Sequence, residues 1–315
     1  MSHKRTPTYS RRDFGKAALA AWPATLIAAS INSKIDGVPI GVISYSFRDL
    51  PVSGIIPAIV KIGLGEVELM FNHAEALAGA PSDTAGTDAA RQQALKDWRA
   101  AVRPESFAAV RQQFTAAGID LRILCYNLGA NVTDDEIDYS FRMARALGAR
   151  AISSSTRLSV ARRVAPFAEK YAMRWGAHGH DNVTDPEEFA TPEVFAKVMA
   201  LNPYMGVNLD IGHFTAAGFD PVEYIKAHHD RITNLHLKDR KKNPPGDRGP
   251  TLQNNWPWGQ GDVPIKAVLQ LLKREKYDIP ANIEYEYNAH ATGDTITEVS
   301  RCFDYVKKAL AARPA

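Results

Sequence analysis

The chain has 315 residues, with 38 Lys and Arg against 35 Asp and Glu, and only two cysteines. This length accommodates one large domain, such as an eight-stranded α/β barrel of about 250 residues, together with an N-terminal extension. Two cysteines exclude a disulfide framework, so Cys125 and Cys302 are both expected to be packed thiols.

The first 30 residues resemble a bacterial twin-arginine export signal. Arg11 and Arg12 stand in the segment SRRDFGK, and an apolar run from Ala17 to Ala29 follows. This run is too short for an ordinary membrane-spanning helix, although an amphipathic helix or a membrane anchor is the alternative. We therefore expect the twin-arginine export machinery as a partner, a periplasmic or extracytoplasmic location in a bacterium, and no stable membrane insertion after signal removal.

The positive charge of the whole sequence belongs largely to this signal. Residues 1–30 contain five Lys or Arg and one Asp, so the remaining chain carries 33 basic and 34 acidic residues and a formal net charge of −1. No long Lys- and Arg-rich stripe remains to follow a phosphate backbone. We expect no nucleic-acid partner.

From residue 38 onward, apolar strand-like runs alternate with amphipathic helical runs, which is typical of a parallel sheet with helical crossovers. Eight such units predict a single (β/α)8 TIM barrel over residues 38–312. The predicted strands are Ile40–Ser44, Glu66–Met70, Asp120–Cys125, Arg150–Ser154, Arg174–Ala177, Met205–Leu209, Ile232–Leu235 and Asn282–Tyr285.

Local signals mark several helix starts. Thr133 with Glu136 forms a predicted capping box, and Asp185-Pro186 and Asp220-Pro221 each place a capping carboxylate before a proline. These are scaffold signals without chemistry.

Two connections, residues 71–104 and 239–264, are too long for simple turns, and because both follow strands we expect both over the catalytic rim. The second contains Trp256 and Trp258. These tryptophans either face a sugar ring or anchor the loop.

The last four predicted strands each run into a residue that can hold a divalent metal, namely His178, Asp210, His236 and Glu284. Taken singly, each has a structural explanation, such as a helix cap or an ion pair. A closed parallel barrel brings all four strand ends to one rim, so together they predict a mixed nitrogen and oxygen metal site.

Further polar residues lie two or three positions beyond these ligands: His180, His213, Lys238 and Glu286. Some are expected to orient the ligands. His213 could instead bind a second metal or a substrate hydroxyl. Glu68 ends the second predicted strand and is expected to point into the same cavity, with a buried ion pair as the alternative.

Several sequence segments together resemble the xylose isomerase-like TIM-barrel family, often called sugar phosphate isomerases/epimerases. They are GVISYSFR, GEVELMF, HGH at 178–180, LDIGH, LHLKDR, WGQGDVP and IEYE, and the resemblance covers residues 38–312. Epimerase relatives bind the metal with Glu, Asp, His and Glu. Asp210, His236 and Glu284 match the last three, whereas His178 replaces the first Glu, which removes half of the two-glutamate acid/base pair.

The resemblance implies a divalent metal, with Mn²⁺ favoured and Zn²⁺, Co²⁺ or Mg²⁺ as alternatives, and a small-molecule sugar substrate. Such a cation polarises a carbonyl and stabilises an enediolate. Glu284 is the predicted base, and His180, Lys238 or Glu68 would return the proton. The predicted substrate-binding residues are Glu68, His213, Trp258 and Arg240.

The expected activity is therefore a divalent-metal-dependent sugar isomerase or epimerase acting on a ketose or keto-sugar. The same intermediate also permits β-elimination, so a metal-dependent lyase that cleaves 3-keto-glycosides is the alternative. An exported sugar-binding barrel without catalysis is a further alternative. A nuclease like endonuclease IV is disfavoured, because it would need a basic groove.

Overall fold

The structure, a computed structural model, describes residues 29–81, 87–244, 254–288 and 293–312. The predicted export signal, including Arg11 and Arg12, lies outside these residues apart from its last two positions. Among the helices that the structure describes, none is both long enough and apolar enough to span a bilayer.

Eight parallel strands form a closed barrel, as the sequence predicts. Consecutive strands pair with each other, and the eighth strand pairs with the first. Each of the eight predicted strands overlaps one barrel strand. The strands are β1 (Val38–Ile43), β2 (Glu66–Met70), β3 (Asp120–Cys125), β4 (Ala151–Ser154), β5 (Arg174–His178), β6 (Met205–Asp210), β7 (Ile232–Leu237) and β8 (Ala281–Ile283).

Helices surround the barrel and bury the apolar outer faces of its strands, as a parallel sheet requires. The helices are α1 (Ile55–Ile62), α2 (Phe71–Leu77), α3 (Asp88–Ala101), α4 (Pro104–Ala116), α5 (Asp134–Leu147), α6 (Leu158–Tyr171), α7 (Pro192–Met199), α8 (Ile211–Ala216), α9 (Pro221–His228), α10 (Ile265–Glu275) and α11 (Thr295–Ala311). A short strand, Lys34–Ile35, pairs antiparallel with β1 outside the closed barrel.

Two predicted helix starts are confirmed and one is wrong. Thr133 and Glu136 form the reciprocal capping box of α5, and Asp220 accepts hydrogen bonds from the first amides of α9. No helix begins at Pro186; α7 instead begins at Pro192, capped by Thr191. The Asp185 carboxylate accepts a hydrogen bond from the Glu187 amide and closes a tight turn, so this segment remains a loop.

Both cysteines are buried and unpaired, as predicted. Cys125 ends β3 and Cys302 lies within α11. Burial raises the pKa of both thiols, so both remain protonated near neutral pH.

The two long connections have their own structure. The first contains α2 and α3, which Glu75 and Arg99 join through a two-pronged ion pair with nitrogen–oxygen distances of 2.7 and 2.9 Å. The second contains a small antiparallel pair of strands, Asp239–Arg240 with Asn255–Trp256. Both connections begin at the carboxyl ends of barrel strands, which is the end where TIM barrels carry their sites.

Candidate metal centre

The carboxyl ends of β5 to β8 bring the four predicted ligands together. The ladder pairs Asp210 directly with His236, and His178 lies beside Asn208. Glu284 follows the last residue of β8, but its amide still donates to the Leu237 carbonyl at 2.9 Å. The strand register therefore fixes all four side chains at one rim.

Three of the four, His178, His236 and Glu284, line a cavity of about 220 Å³ at the mouth of the barrel. Its wall consists of Ile43, Tyr45, Met70, Cys125, Asn127, Ser155, His178, His180, His213, His236, Lys238, Glu284 and Glu286. Of the predicted site residues, His178, His180, His213, His236, Lys238 and Glu284 contribute to this wall.

Each predicted ligand carries one buried atom without a hydrogen-bond partner among the described residues. The atoms are His178 Nδ1, Asp210 Oδ2, His236 Nδ1 and Glu284 Oε2. Ligand atoms of His178, Asp210 and His236 lie within 4.8 Å of one another, and Glu284 Oε2 is 3.3 Å from His236 Nδ1. Three of these atoms are in ion-pair contact, His236 Nδ1 with Glu284 Oε2, and both Asp210 Oδ2 and Glu284 Oε2 with Lys238 Nζ. The close set of nitrogen and oxygen donors makes this rim a candidate metal centre.

Asp210 divides its carboxylate between the scaffold and the cavity. Oδ1 accepts the His213 amide at 2.9 Å and so caps α8, whereas Oδ2 lies 2.9 Å from Lys238 Nζ. Burial raises the pKa of Asp210 to about 6, helped by the negative charge of Glu284 and opposed by Lys238. A divalent cation would favour the ionised form of this side chain.

Glu68 lies beneath His236 and is not exposed to solvent at all. Its carboxylate accepts hydrogen bonds from His236 Nε2 at 2.9 Å, from Asn234 at 2.8 Å, from Asn282 at 2.7 Å and from Ser153. Because Glu68 is absent from the cavity wall and fully hydrogen-bonded, the structure does not place it where a substrate could touch it. The buried-pair alternative describes it better.

This arrangement determines which nitrogen of His236 can bind a metal. A carboxylate only accepts, so Nε2 carries a proton and Nδ1 is the nitrogen that faces the cavity. Burial favours the neutral ring, but Glu68 and Glu284 together outweigh it and raise the pKa of His236 well above its usual range. Cation binding at Nδ1 would therefore release a proton.

Lys238 supplies a positive charge in the middle of the carboxylates. Its Nζ donates a hydrogen bond to Glu286 at 2.6 Å. The same Nζ lies at ion-pair distance from Asp210 Oδ2, 2.9 Å, and from Glu284 Oε2, 2.8 Å, without hydrogen-bond geometry to either. Burial opposes the charge on Glu284, but Lys238 and His236 outweigh it and hold the pKa of Glu284 well below its usual value. Glu284 is therefore held in its ionised form.

His180 and His213 form the outer side of the cavity, and each has a carboxylate behind it. His180 Nδ1 is 2.6 Å from Glu188 Oε1, and His213 Nδ1 is 2.9 Å from Asp181 Oδ1. Burial lowers the pKa of His213 well below its usual value, so its ring is neutral. Both predicted residues therefore face the cavity.

The structure does not bring Trp258 and Arg240 to this cavity. Trp258 packs edge-to-face on Tyr305 of α11 and lines a separate cavity of about 410 Å³. Arg240 is buried behind His213, where it donates to Asp181. These positions do not support the predicted substrate contacts, and for Trp258 they match the loop-anchoring alternative.

Asp239 explains why Trp258 turns away from the barrel mouth. Its carboxylate accepts the amides of Gly259 at 2.7 Å and Gly261 at 2.9 Å, which tightens the turn behind Trp258. Gly259 has a left-handed φ of +87°, and a Cβ at Gly261 would collide with the Asp239 carboxylate. The two glycines thus make room for the Asp239 carboxylate.

Among the side chains at or behind this cavity that sequence reasoning missed are Tyr45, Asn127, Asp181 and Glu188. Tyr45 and Asn127 line its wall just beyond β1 and β3. Asp181 directly follows His180, so an acidic residue beside the His-Gly-His segment was the available signal. Glu188 carried no comparable signal, because its segment reads as the start of a helix.

A closed parallel barrel with a cluster of histidines and carboxylates at its carboxyl-terminal rim defines a TIM-barrel protein with a candidate metal centre. Residues 58–304 match the xylose isomerase-like TIM barrel family, and the chain belongs to that family. This confirms the fold and the family expected from the sequence.

Comparison with known proteins also identifies individual relatives. The chain is 31% identical over 151 residues to 3-oxo-isoapionate decarboxylase of Pectobacterium atrosepticum, a stretch that covers 44% of this chain and only about half, 51%, of that relative.

Two solved structures share the fold. The zinc-bound IOLI protein is 17% identical, with a TM-score of 0.61 over 87% of this chain and 100% of that one. A sugar phosphate isomerase/epimerase from Parabacteroides distasonis is 15% identical, with a TM-score of 0.56 over 91% and 99% of the two chains.

Proposed function

We propose that this protein is a divalent-metal-dependent enzyme that forms an enediolate from a ketose or keto-sugar and reprotonates it as an isomerase or epimerase. The observation that carries this proposal is the cluster of nitrogen and oxygen donors of His178, Asp210, His236 and Glu284 at one rim of the barrel. Family membership supports it, because relatives with this fold include a sugar phosphate isomerase/epimerase and a zinc-bound protein.

The residues present fit a divalent cation in donor type and in charge. Asp210, His236 and Glu284 offer nitrogen and oxygen donors, and His178 offers a further nitrogen. Asp210, Glu284 and Glu286 surround Lys238, so a positive charge of two would neutralise the surplus carboxylates. When bound there, Mn²⁺ or a similar cation would supply Lewis acidity to an adjacent carbonyl and hydroxyl.

The chain's own residues would then move the protons. Glu284 is the candidate base, and Glu286, which also lines the cavity and accepts from Lys238, is the alternative. Lys238 Nζ, which is hydrogen-bonded to Glu286, and His180, which also lines the cavity, are the candidate proton donors. Glu68 is removed from this role, because it is fully buried beneath His236.

A second candidate is bond cleavage, which includes the 3-keto-glycoside lyase and a decarboxylase. Two observations favour it: His178 stands where epimerase relatives have a glutamate, and the partly matched curated relative is a decarboxylase. Loss of carbon dioxide from a β-keto acid leaves the electron pair as an enolate, which requires a proton donor such as Lys238 but no base.

One experiment separates these outcomes. The purified protein, loaded with Mn²⁺ in D₂O, is incubated with ketoses, 3-keto-glycosides and a β-keto sugar acid, and the products are followed by NMR. Deuterium beside the carbonyl of recovered or epimerised sugar supports the isomerase, whereas a cleaved product supports the second candidate. No exchange and no product with every compound would leave the sugar-binding barrel as the better description.

We also propose that the chain is exported through its twin-arginine segment, on the strength of Arg11 and Arg12 before an apolar run. The test fuses residues 1–35 to a reporter protein. Replacing both arginines with lysine should retain the reporter in the cytoplasm, and unchanged export would refute the proposal.

A further inference from the structure

A further cavity adjoins the cavity of the candidate metal centre, which we call the metal cavity, at the ends of β2 and β3. It has a volume of about 330 Å³, and we call it the lateral cavity. Phe71 and Tyr126 line the lateral cavity, whereas the residues that precede them, Met70 and Cys125, line the metal cavity. Asn127 lines both, so the two cavities meet at this residue.

The metal cavity is small for a substrate of more than one ring. Its volume of about 220 Å³ lies below the range of roughly 300–1,000 Å³ that small-molecule sites usually span. The lateral cavity lies at the low end of this range, which suits one additional ring rather than a longer chain. A ligand of two linked rings would occupy both cavities.

Asn127 presents a hydrogen-bond donor where the two cavities meet. Its Oδ1 accepts from the Ser155 amide at 2.9 Å and from the Cys125 thiol at 3.7 Å, which fixes the orientation of the side-chain amide. Among the described residues, none accepts a hydrogen bond from Asn127 Nδ2. This nitrogen is therefore available to an oxygen atom of a ligand that passes from one cavity to the other.

The loop beside the lateral cavity is already ordered by hydrogen bonds. The Val132 amide donates to the Gly129 carbonyl at 3.1 Å and closes a turn. The Thr156 hydroxyl donates to the Leu128 carbonyl at 2.6 Å. Arg163 donates to the Val132 carbonyl at 2.8 Å. A preformed wall lowers the conformational entropy that is lost when a ligand binds.

The charges of the lateral cavity do not favour an anionic ligand. Arg99 is the one cation among the described residues of its wall, and both oxygens of Glu75 accept hydrogen bonds from its guanidinium. Glu136 adds a negative charge to the same wall and is held in the capping box of α5. A phosphate or carboxylate would therefore find no surplus of positive charge here.

The uncharged part of the wall combines apolar and polar side chains. Phe71 and Val132 offer apolar surface, and Asn127 and Asn131 offer side-chain amides. An entirely apolar ligand would cover these amides without giving them partners, which is unfavourable. A sugar ring presents both C–H groups and hydroxyl groups, so its chemistry matches this wall.

We propose that the lateral cavity binds a second sugar ring, so that the substrate is a disaccharide or a related glycoside of two rings. The reacting ring occupies the metal cavity, and the linkage between the rings passes over Asn127. This proposal rests on the proposed function for the reacting ring, and it names the class of substrate on which that function acts.

Binding to matched sugars of one and two rings tests the proposal. The Mn²⁺-loaded protein is titrated with glucose, galactose and their methyl glycosides, with cellobiose, maltose, lactose and trehalose, and with the 3-keto forms of these compounds. Affinity is measured by calorimetry, or as KM for any compound that is turned over. At least one disaccharide should bind about tenfold more tightly than its separate rings, since a buried ring face and a hydrogen bond together contribute this much.

Ala130→Trp tests where the second ring binds. Ala130 is exposed and lines the lateral cavity but not the metal cavity, so a tryptophan would fill the space without reaching the candidate ligands. The ratio of one-ring to two-ring dissociation constants should fall to about one. Ala196→Trp, at an exposed position of α7 that lines neither cavity, is the matched control and should keep the wild-type ratio.

Asn131→Ala provides a second variant that adds no volume. It removes one amide from the lateral cavity and should reduce the two-ring preference by about fivefold. A thermal unfolding curve for each variant verifies that it is folded. Lack of a two-ring preference in the wild type, or an undiminished preference in folded Ala130→Trp, would overturn the proposal.

The D₂O experiment keeps this proposal distinct from the proposed function. Deuterium exchange or cleavage without any two-ring preference would retain the reaction and reject the lateral subsite. A two-ring preference that Ala130→Trp removes, without exchange or product from any compound, would retain the subsite and reject the reaction.

Discussion

The two halves of the cavity wall differ completely in chemical character. The side chains that end or follow β1 to β4 are Ile43, Tyr45, Met70, Cys125, Asn127 and Ser155, and none of them is charged near neutral pH. The side chains that follow β5 to β8 are His178, His180, His213, His236, Lys238, Glu284 and Glu286, and all of them are histidine or charged residues. One half is therefore suited to hold a substrate, and the other to react with it.

In this barrel, the residues suited to substrate recognition lie at the ends of β1 to β4, and those suited to the chemical step lie at the ends of β5 to β8. The uncharged half can fit the carbon skeleton and hydroxyl groups of a sugar without disturbing the charges opposite. In the charged half, Lys238 and the proposed cation offset the negative charge of the carboxylates, and Glu68 offsets the charge of His236. Substitutions in the two halves should therefore change different kinetic constants.

The largest expected effect comes from the proposed metal ligands. Asp210→Ala and Glu284→Ala each remove a proposed ligand and should lower metal affinity by more than about 100-fold, because even partners behind the ligands contribute 10- to 100-fold. Transition-state stabilisation should fall by several kcal/mol, so activity should fall on the order of 1,000-fold or more. Metal analysis and kinetics measure both effects.

Asp220→Ala is the matched control for Asp210→Ala. Asp220 caps α9 as Asp210 caps α8, but it lies away from the cavity. It should cost about 1 kcal/mol of stability and leave metal content unchanged. Full metal retention in both Asp210→Ala and Glu284→Ala would eliminate the proposed centre.

A second effect concerns Lys238, which is only 2% exposed among three carboxylates. Lys238→Met keeps the apolar stem but leaves Asp210, Glu284 and Glu286 without their ammonium. The metal-free variant should lose about 3 kcal/mol of unfolding free energy, since removing one member of a buried ion pair typically costs 3–5 kcal/mol. Denaturant unfolding with and without Mn²⁺ checks this.

Added Mn²⁺ should stabilise Lys238→Met more than it stabilises the wild type, because the cation replaces the missing positive charge. Equal stabilisation of both proteins would show that Lys238 and the cation do not share the same carboxylates.

Glu68→Gln tests whether the buried network acts through His236. Glutamine retains the size of Glu68 but loses its charge and one acceptor oxygen, so the ring of His236 loses its anchor. Metal affinity should fall by about 10- to 100-fold. Calorimetric titration with Mn²⁺ measures this change.

Glu66→Gln provides the control on the same strand. Glu66 pairs with Arg122 at 2.9 Å at the start of β2, away from the cavity. This variant should lose some stability but bind metal normally. An equal fall in metal affinity in both variants would mean that β2 is merely distorted, and that Glu68 has no specific role.

The smallest effect is expected in the uncharged half. Tyr45→Phe removes one hydroxyl from the cavity wall and preserves the ring. A hydrogen bond of about 1 kcal/mol corresponds to a roughly fivefold rise in KM, with kcat almost unchanged. A large fall in kcat at constant KM would contradict the division of the wall, because Tyr45 would then take part in the chemical step.

The sequence predicted the charged half much better than the uncharged half. His178, Asp210, His236 and Glu284 stand out because such residues rarely end buried strands without a purpose. Ile43, Met70 and Cys125 give no such signal, since apolar residues at strand ends have many structural reasons. The chemistry of a residue can be read from the sequence, whereas its place in a cavity wall depends on the closed barrel.

Two other differences have the same origin in tertiary contacts. Trp258 looked suited to a sugar because it lies in a glycine-rich loop above the rim, but the Asp239 carboxylate holds that loop against α11. Glu68 looked suited to substrate because it lies near the carboxyl end of β2, but it meets Asn282 on β8 and Asn234 on β7, which are not neighbouring strands of β2. None of these partners could be recognised from local sequence.

The divided carboxylate of Asp210 makes the first turn of α8 a natural reporter of cavity occupancy. One oxygen is committed to the His213 amide, so the side chain cannot rotate to follow a cation without exposing that amide. Anything that binds the other oxygen should slow hydrogen–deuterium exchange at His213. The exchange rate of the His213 amide therefore reports cation binding without an added probe, and it can be measured before any substrate is known.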